Sequence, residues 1–451
     1  MILKLKDKNL LEDNDLYDYI ILILMFLQLT ILEFFGLGRI LNKLLLLVVL
    51  LKTILIDKKI DKKYLYIFII IGGLFILSVL FSNPISFSIA KSNFLMYLYP
   101  MAYAFYIRNV CVNKPHIITN CFKKGFYIFN AVILINFIVL YIQIIFPYSI
   151  NAVRTITEVT YYKDLISGLF EYCSVHLLNL FFIFIILYNY EYSKRISDIK
   201  QKKVIFGYIL FLLINEMIIS NLNDNKMFFP VFLVVIFVKI VYELNNANKL
   251  SMKKILSIIG IIALVLLVAY IIISPVRNYV DETIIGLFER VLTQRENTNG
   301  SAERVAIFFY ALIQGSTWLY GKGLGTAKLY TSGYCGFAHF GQSDLGSALM
   351  LGGMAFTIAM ITYYCFIICD ITSTRKKDYP NIISFILLIL CFMLFIQCIS
   401  RTNLMMVILM ILMTFQFMRR KENEDENRNS YIYQWEQLWT KITKLRNARS
   451  L

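Results

Sequence analysis

Twelve apolar runs, each of roughly 17 to 25 residues, limit what this 451-residue chain can fold into. They lie near residues 18–35, 40–56, 64–82, 94–112, 126–147, 172–190, 204–220, 227–243, 254–274, 345–369, 381–399 and 402–418. A run of this length matches a helix crossing ~30 Å of hydrocarbon, and a helix satisfies all of its own backbone polar groups there. Composition agrees, with 59% hydrophobic and 16% charged residues and a mean hydropathy of +0.66, well outside the range of a water-soluble domain. The expected architecture is all-α, a polytopic transmembrane bundle of about twelve spans with a large helical extracytoplasmic loop.

In a soluble protein a net charge of +16 would point to nucleic acid, but in a membrane protein the distribution of Lys and Arg carries the meaning. With the amino terminus inside, segments 1–17, 57–64, 108–125, 191–203, 245–254, 373–380 and 419–451 hold 30 of the 45 basic residues. The outside connections hold twelve, although they include the longest one. That asymmetry fits the positive-inside rule with an even number of spans and both termini cytoplasmic. The basic surplus is then a topology signal first and a grip on anionic membrane lipid second, with no nucleic-acid partner. The first apolar run lacks a small-residue cleavage site and follows a mixed-charge stretch, so it reads as a span and not as a removable leader. The eight cysteines show neither a disulfide framework nor a metal-site spacing.

Residues 1–274 hold nine spans and one sizeable outside connection, 148–171, "YSINAVRTITEVTYYKDLISGLFE". Residues 275–344 form the large outside loop, 345–418 the last three spans and 419–451 a cytoplasmic tail. Connections beyond ~15 residues are uncommon in compact folds and usually functional, so these two outside segments are where function is expected. The tail opens on "RRKENEDENRN" and continues with "IYQWEQLWTKITKLRN", whose Trp435 and Trp439 share a helix face suited to the inner leaflet.

Within the large loop, "DETIIGLFERVLTQREN" (281–297) puts Ile284, Ile285, Phe288, Val291 and Leu292 on one helical stripe, as for a helix lying on a membrane surface. "NTNGS" breaks the chain, and a second helix is expected with Ser301 as N-cap and Arg304 in its first turn. A cation there opposes the helix dipole, whereas an anionic ligand gains from both the exposed N–H groups and the guanidinium. A surface pair with Glu303 or Glu296 is the structural alternative. "GSTWLYGKGLG" is no nucleotide loop: five residues separate Gly315 from Gly321 where a P-loop needs four, and Gly323 follows Lys322 where Ser or Thr is required. Nor do the alternating Gly321, Gly323 and Gly325 follow a strand, as a dinucleotide fingerprint must.

Arg304, ten residues, Gly315, then "YGKGLG", a polar turn, a lone His339 and the glycine-rich entry "LGSALMLGGMAF" together resemble the long periplasmic loop of the O-antigen polymerase and ligase superfamily. The Arg304-x10-Gly315 spacing matches the Arg-x10-Gly motif of the Wzy-type polymerases. The resemblance covers overall architecture and, at motif level, residues 301–356. Residues 148–171 depart from it, since the glycine nearest downstream of Arg154 is Gly168.

What the resemblance implies is a glycosyltransferase that joins undecaprenyl-diphosphate-linked repeat units at the outer face of the bacterial cytoplasmic membrane. It implies no metal and no cofactor, and a chain-length regulator is the candidate protein partner. Charge then develops on a diphosphate leaving group, which guanidinium groups stabilise well. Arg304 is the first choice, with Arg277, Arg154 and Arg401 as companions and Lys322, Gly315 and Asp344 at the substrate. His339 is the candidate general base, because imidazole titrates near working pH, with Asp344, Glu158 and Glu171 as alternatives. His176, about one turn into the sixth span, reads as a packing residue. Asn215 and Glu216 in the seventh span either face a sugar-binding hollow or satisfy polar groups across helices. The loop glycines are expected to be hinges and close-approach points in a lid that carries His339. An O-antigen ligase would share the loop and differ in acceptor, and a lipid-linked oligosaccharide flippase would share the spans without needing such a loop.

Overall fold

The computed structural model describes residues 2–32, 34–53, 61–146, 166–170, 175–223, 228–246, 252–278, 281, 300–314, 318–331, 333–337, 340–372, 379–415 and 417. Among the described residues regular structure is helical, and the one β pairing is an isolated bridge between Tyr334 and Phe337. In chain order the helices are α1 (Ile2–Leu27), α2 (Gly38–Leu51), α3 (Lys62–Leu80), α4 (Phe87–Asn113), α5 (Pro115–Ile145), α6 (Val175–Arg195) and α7 (Ile199–Leu222). They continue as α8 (Phe228–Asn246), α9 (Met252–Ile272), α10 (Gly300–Ile313), α11 (Asp344–Ser347), α12 (Gly353–Thr372), α13 (Tyr379–Phe395) and α14 (Thr402–Phe415). A π turn at Gln28–Leu32 extends α1, and another at Ala348–Gly352 joins α11 to α12.

Local chemistry sets several of these boundaries. Asp61, Ser86, Asp198 and Ser343 cap α3, α4, α7 and α11 by accepting from the N–H groups of Lys63, Ile89, Lys200 and Gly346. Pro115 opens α5, where its missing N–H costs nothing. Helix α10 begins at Gly300, so Ser301 lies inside the first turn and is not the predicted N-cap.

Each of the twelve apolar runs falls on helix, the run 345–369 covering α11, the π turn and α12, and α10 is the extra element supplied by the large loop. Among the described residues six helical segments are long and apolar enough to cross a membrane: Asp15–Leu32, Lys62–Leu80, Pro115–Ile145, Val175–Arg195, Ile199–Ser220 and Asp344–Thr372. The chain is therefore a multi-pass helical membrane protein. Among the described residues six such segments are found where the sequence predicts about twelve spans. Shorter apolar stretches among the described residues are Ile40–Leu51 in α2, Ile383–Phe395 in α13 and Thr402–Phe415 in α14. Helix α4 has length enough, at 27 residues, but carries Lys91, Asn93, Arg108 and Asn109.

The bundle turns apolar side chains such as Leu44, Ile69, Ile76, Leu210 and Ile214 outward, where a soluble bundle would present polar ones, around an interior that is also mostly apolar. Helix α6 is its axis, with every residue from Leu177 to Asn189 buried. Asn215 accepts from the Tyr141 hydroxyl at 2.6 Å and donates to Phe211 O at 2.8 Å, so this side chain satisfies polar groups between α5 and α7.

Alternating helix direction gives the bundle two chemically different ends. At one, the basic end, buried Asp18 is held by Lys52, by Lys114 at 2.8 Å and by the Tyr106 hydroxyl at 2.7 Å. Asp370 receives Lys63 at 2.8 Å, Arg108 Nε at 2.7 Å and the Tyr64 hydroxyl at 2.9 Å, while Glu191 pairs with Lys239 at 2.7 Å. At the other, the loop end, residues 318–331 lie wedged between helix ends. Ser78 Oγ accepts from Leu324 N at 3.1 Å, Ser82 Oγ from Gly325 N at 2.8 Å, and Leu351 O from Gly323 N at 2.9 Å. Asn93 donates to Leu324 O at 2.7 Å and to Ala327 O at 2.9 Å. The hinge half of the glycine expectation is overturned by these bonds, because the segment is stapled to α3, α4 and the π turn. The close-approach half holds: a Cβ on Gly323 would meet Ser82 Oγ at 2.2 Å. The described end of the other outside connection, 166–170, is also tucked in, with Gly168 N donating to Gln143 and Leu169 N to Asn136.

Candidate functional site

The loop end brings together side chains that are far apart in sequence. Helix α10 is amphipathic: Ala306, Ile307 and Ala311 are fully buried, while Phe309 and Ile313 are exposed. That burial draws Arg304 inward until it is 8% exposed. Its Nη1 donates to Phe395 O at 2.8 Å, and its Nη2 donates to Gln342 Oε1 at 2.7 Å and lies 3.2 Å from His176 Nε2. This departs from the sequence expectation, in which Arg304 faces an anion together with the N–H groups of its own helix. The guanidinium turns instead toward the last turn of α13, where carbonyls lack helical partners and welcome a cation.

A second knot lies beside it. Asp344, 1% exposed, accepts from Ile399 N at 2.6 Å and from the Ser400 hydroxyl. Ser400 O in turn accepts from the Tyr330 hydroxyl, and the Arg401 guanidinium lies 4.9 Å from the centre of the Tyr330 ring. Gln397 donates to Gly341 O, so residues 340–344 and the turn 396–401 are stitched face to face. Both Asp344 oxygens accept hydrogen bonds from inside the protein, which makes this carboxylate a tie between two segments. Arg401 lies within electrostatic reach of both His176 and Asp344, so Arg304, Arg401, Asp344 and His176 form one neighbourhood.

The remaining candidates lie elsewhere. Arg277 is exposed and donates to Tyr270 O and Ile271 O, so it closes the end of α9 and does not join Arg304. Lys322 belongs to the stapled segment, its N–H bound to Met350 O at 2.8 Å and its charge beside Cys335. Burial raises the Cys335 thiol against the opposing pull of the Tyr334 hydroxyl and Lys322, so it is a poor thiolate nucleophile. Burial also pushes the Tyr334 phenol up to about 12, with Cys335 adding to the effect. His339, Gly315 and Arg154 lie outside the described residues, as do Glu158, Glu171, Glu296, all but Asp281 of the predicted surface helix 281–297, and the tail helix. Among the described residues no three His, Cys, Asp or Glu side chains gather as metal ligands do.

Sequence reasoning did not place His176, Gln342 or the Phe395 carbonyl beside Arg304. Only His176 gave a signal, as an ionisable group within an apolar run. No protein-family model matches the chain, and no curated protein matches it.

Proposed function

We propose that this chain is a metal-independent membrane glycosyltransferase of the Wzy type, polymerising undecaprenyl-diphosphate-linked repeat units at the outer face of the bacterial cytoplasmic membrane. On this reading all twelve apolar helices cross the membrane, both termini are cytoplasmic and the loop end faces outward. The observation that carries it is Arg304, a nearly buried guanidinium held by three protein groups beside Arg401 at the end opposite the basic clusters. The Arg304-x10-Gly315 spacing and the large loop support the same reading.

The chemistry follows from the charges. As the bond between sugar and diphosphate breaks, negative charge grows on the phosphate oxygens, and positive groups already fixed in place stabilise it without reorganising. Arg304 and Arg401 supply that field, and His339 takes the proton of the acceptor hydroxyl. Arg304→Ala is expected to lower chain extension by about 10²- to 10³-fold, the range for removing one preorganised charge stabiliser, while protein remains in the membrane. Arg304→Lys is expected to recover little, since an ammonium lacks the planar fork.

The test is to delete the gene and resolve surface glycan by size. Single repeat units at the surface support polymerisation. Long glycan accumulating on carrier lipid would indicate a ligase, and repeat units trapped on the inner face a flippase. Purified protein supplied with synthetic lipid-linked repeat units then measures extension directly.

A further inference from the structure

We infer that His176 is a hydrogen-bond donor to the diphosphate of the substrate, acting through Nδ1, and is not a base. The identity of the ligand rests on the glycosyl-transfer reading above, whereas the donor role rests on the imidazole itself.

Arginine has five N–H donors and no acceptor. Its Nη2 lies 3.2 Å from His176 Nε2, so the contact is a hydrogen bond only if Nε2 brings its lone pair. The neutral ring must then carry its proton on Nδ1. Among the described residues Nδ1 has no hydrogen-bond partner, and the atom is buried. Buried donors are almost always partnered, and leaving one unmade costs about 1–3 kcal/mol. Such a donor calls for an acceptor oxygen.

The surroundings favour an anionic one. Arg304 touches the same ring, Arg401 lies within electrostatic reach, and the nearby carboxylate of Asp344 is already occupied by Ile399 and Ser400. The ring also has no basic nitrogen to spare, since Arg304 occupies the Nε2 lone pair. Arg304 therefore fixes the tautomer, and His176 offers a single directed N–H to a phosphate oxygen. Deprotonation of the acceptor hydroxyl falls to another group.

The chain holds three histidines, so ¹⁵N-histidine spectra of the full-length protein in detergent can be assigned from the signals that His116→Gln and His176→Gln each remove. The expected spectrum shows His176 protonated at Nδ1 at neutral pH, with its signals moving when inorganic pyrophosphate is added. In the extension assay His176→Asn, whose amide can supply a donor near the Nδ1 position, is expected to retain about tenfold more activity than His176→Gln, whose carbonyl can still accept from Arg304. A residue that merely held Arg304 in place would give the opposite order. A proton found on Nε2, spectra indifferent to pyrophosphate, or His176→Gln matching His176→Asn would each overturn the inference. If pyrophosphate moves the His176 signals but no lipid-linked unit is extended, the donor site stands and the polymerase reading falls. If extension proceeds while pyrophosphate leaves the ring untouched, the polymerase reading stands and the donor site falls.

Discussion

Replacing Gly323 by alanine tests whether the glycine-studded segment is a fixed part of the bundle. Gly323 has φ +101, and an added Cβ would lie 2.2 Å from Ser82 Oγ and 2.5 Å from Ser82 Cα. The hydroxyl can rotate away, but the Cα belongs to the backbone, so the segment must back off. Leaving glycine at a positive φ costs about 1–2 kcal/mol. Backing off also threatens the bonds from Leu324 N to Ser78 and from Gly325 N to Ser82, each worth about 0.5–1.5 kcal/mol. The total is ~2–5 kcal/mol, which favours the undocked segment by about thirtyfold to a few thousandfold. Gly333→Ala is the control: its φ is +73, but its Cβ would meet nothing within 4 Å, so only the backbone term of about 1–2 kcal/mol applies. Trypsin cleavage at Lys322 and Lys328 in detergent reads the difference, because cleavage follows the open population when reclosing is fast. Equal cleavage rates in Gly323→Ala and Gly333→Ala would refute the stapled segment.

At the basic end, Asp18→Asn leaves Lys52 buried without its countercharge and is expected to cost about 3–5 kcal/mol, read as a lower midpoint of thermal unfolding in detergent. Adding Lys52→Met should recover part of that loss. Asp344→Asn weakens the tie to Ile399 and Ser400 by about 1–3 kcal/mol and should lower the same midpoint. Because the Cys335 thiol is raised, a maleimide should label it more slowly than a free thiol at neutral pH. The rate should climb about tenfold per pH unit and keep climbing beyond the point where a free thiol levels off. On the proposed orientation, a membrane-impermeant reagent reaches Cys335 from outside the cell.

The spans were legible because length and hydropathy are summed over many residues, and all twelve apolar runs became helices. Helix ends are carried less well, because they depend on local caps and tertiary contacts: α10 starts at Gly300, one residue before the Ser301 expected to cap it. At the site, Arg304 was legible from its spacing and its place in a long loop, and the structure brings it near Arg401 and Asp344. Its partners were not legible. Gln342, His176 and the Phe395 carbonyl are separated from it by 38, 128 and 91 positions, and no local pattern encodes contacts across such distances. Arg277 shows the opposite limit, since a cation near a span end also suits the end of a helix and sequence does not separate the two.

The ion clusters at the basic end change what the net charge of +16 means for the surrounding membrane. Lys52, Lys63, Arg108, Lys114, Lys194 and Lys239 are matched by Asp15, Asp18, Asp61, Asp370, Glu191 and Glu243 within the fold. The helices thus carry their own counter-ions. Charge that a lipid surface can feel from the described helices includes exposed Lys43 in α2, Lys62 in α3, Lys91 in α4, Lys123 and Lys124 in α5 and Lys200 and Lys203 in α7. Added salt or a switch from anionic to zwitterionic lipid should loosen the hold on those side chains, because exposed charges are readily screened. The buried pairs Lys52–Asp18 and Lys239–Glu191, shielded from the medium, should persist, leaving the packing around them insensitive to conditions that alter the protein's seat in the bilayer.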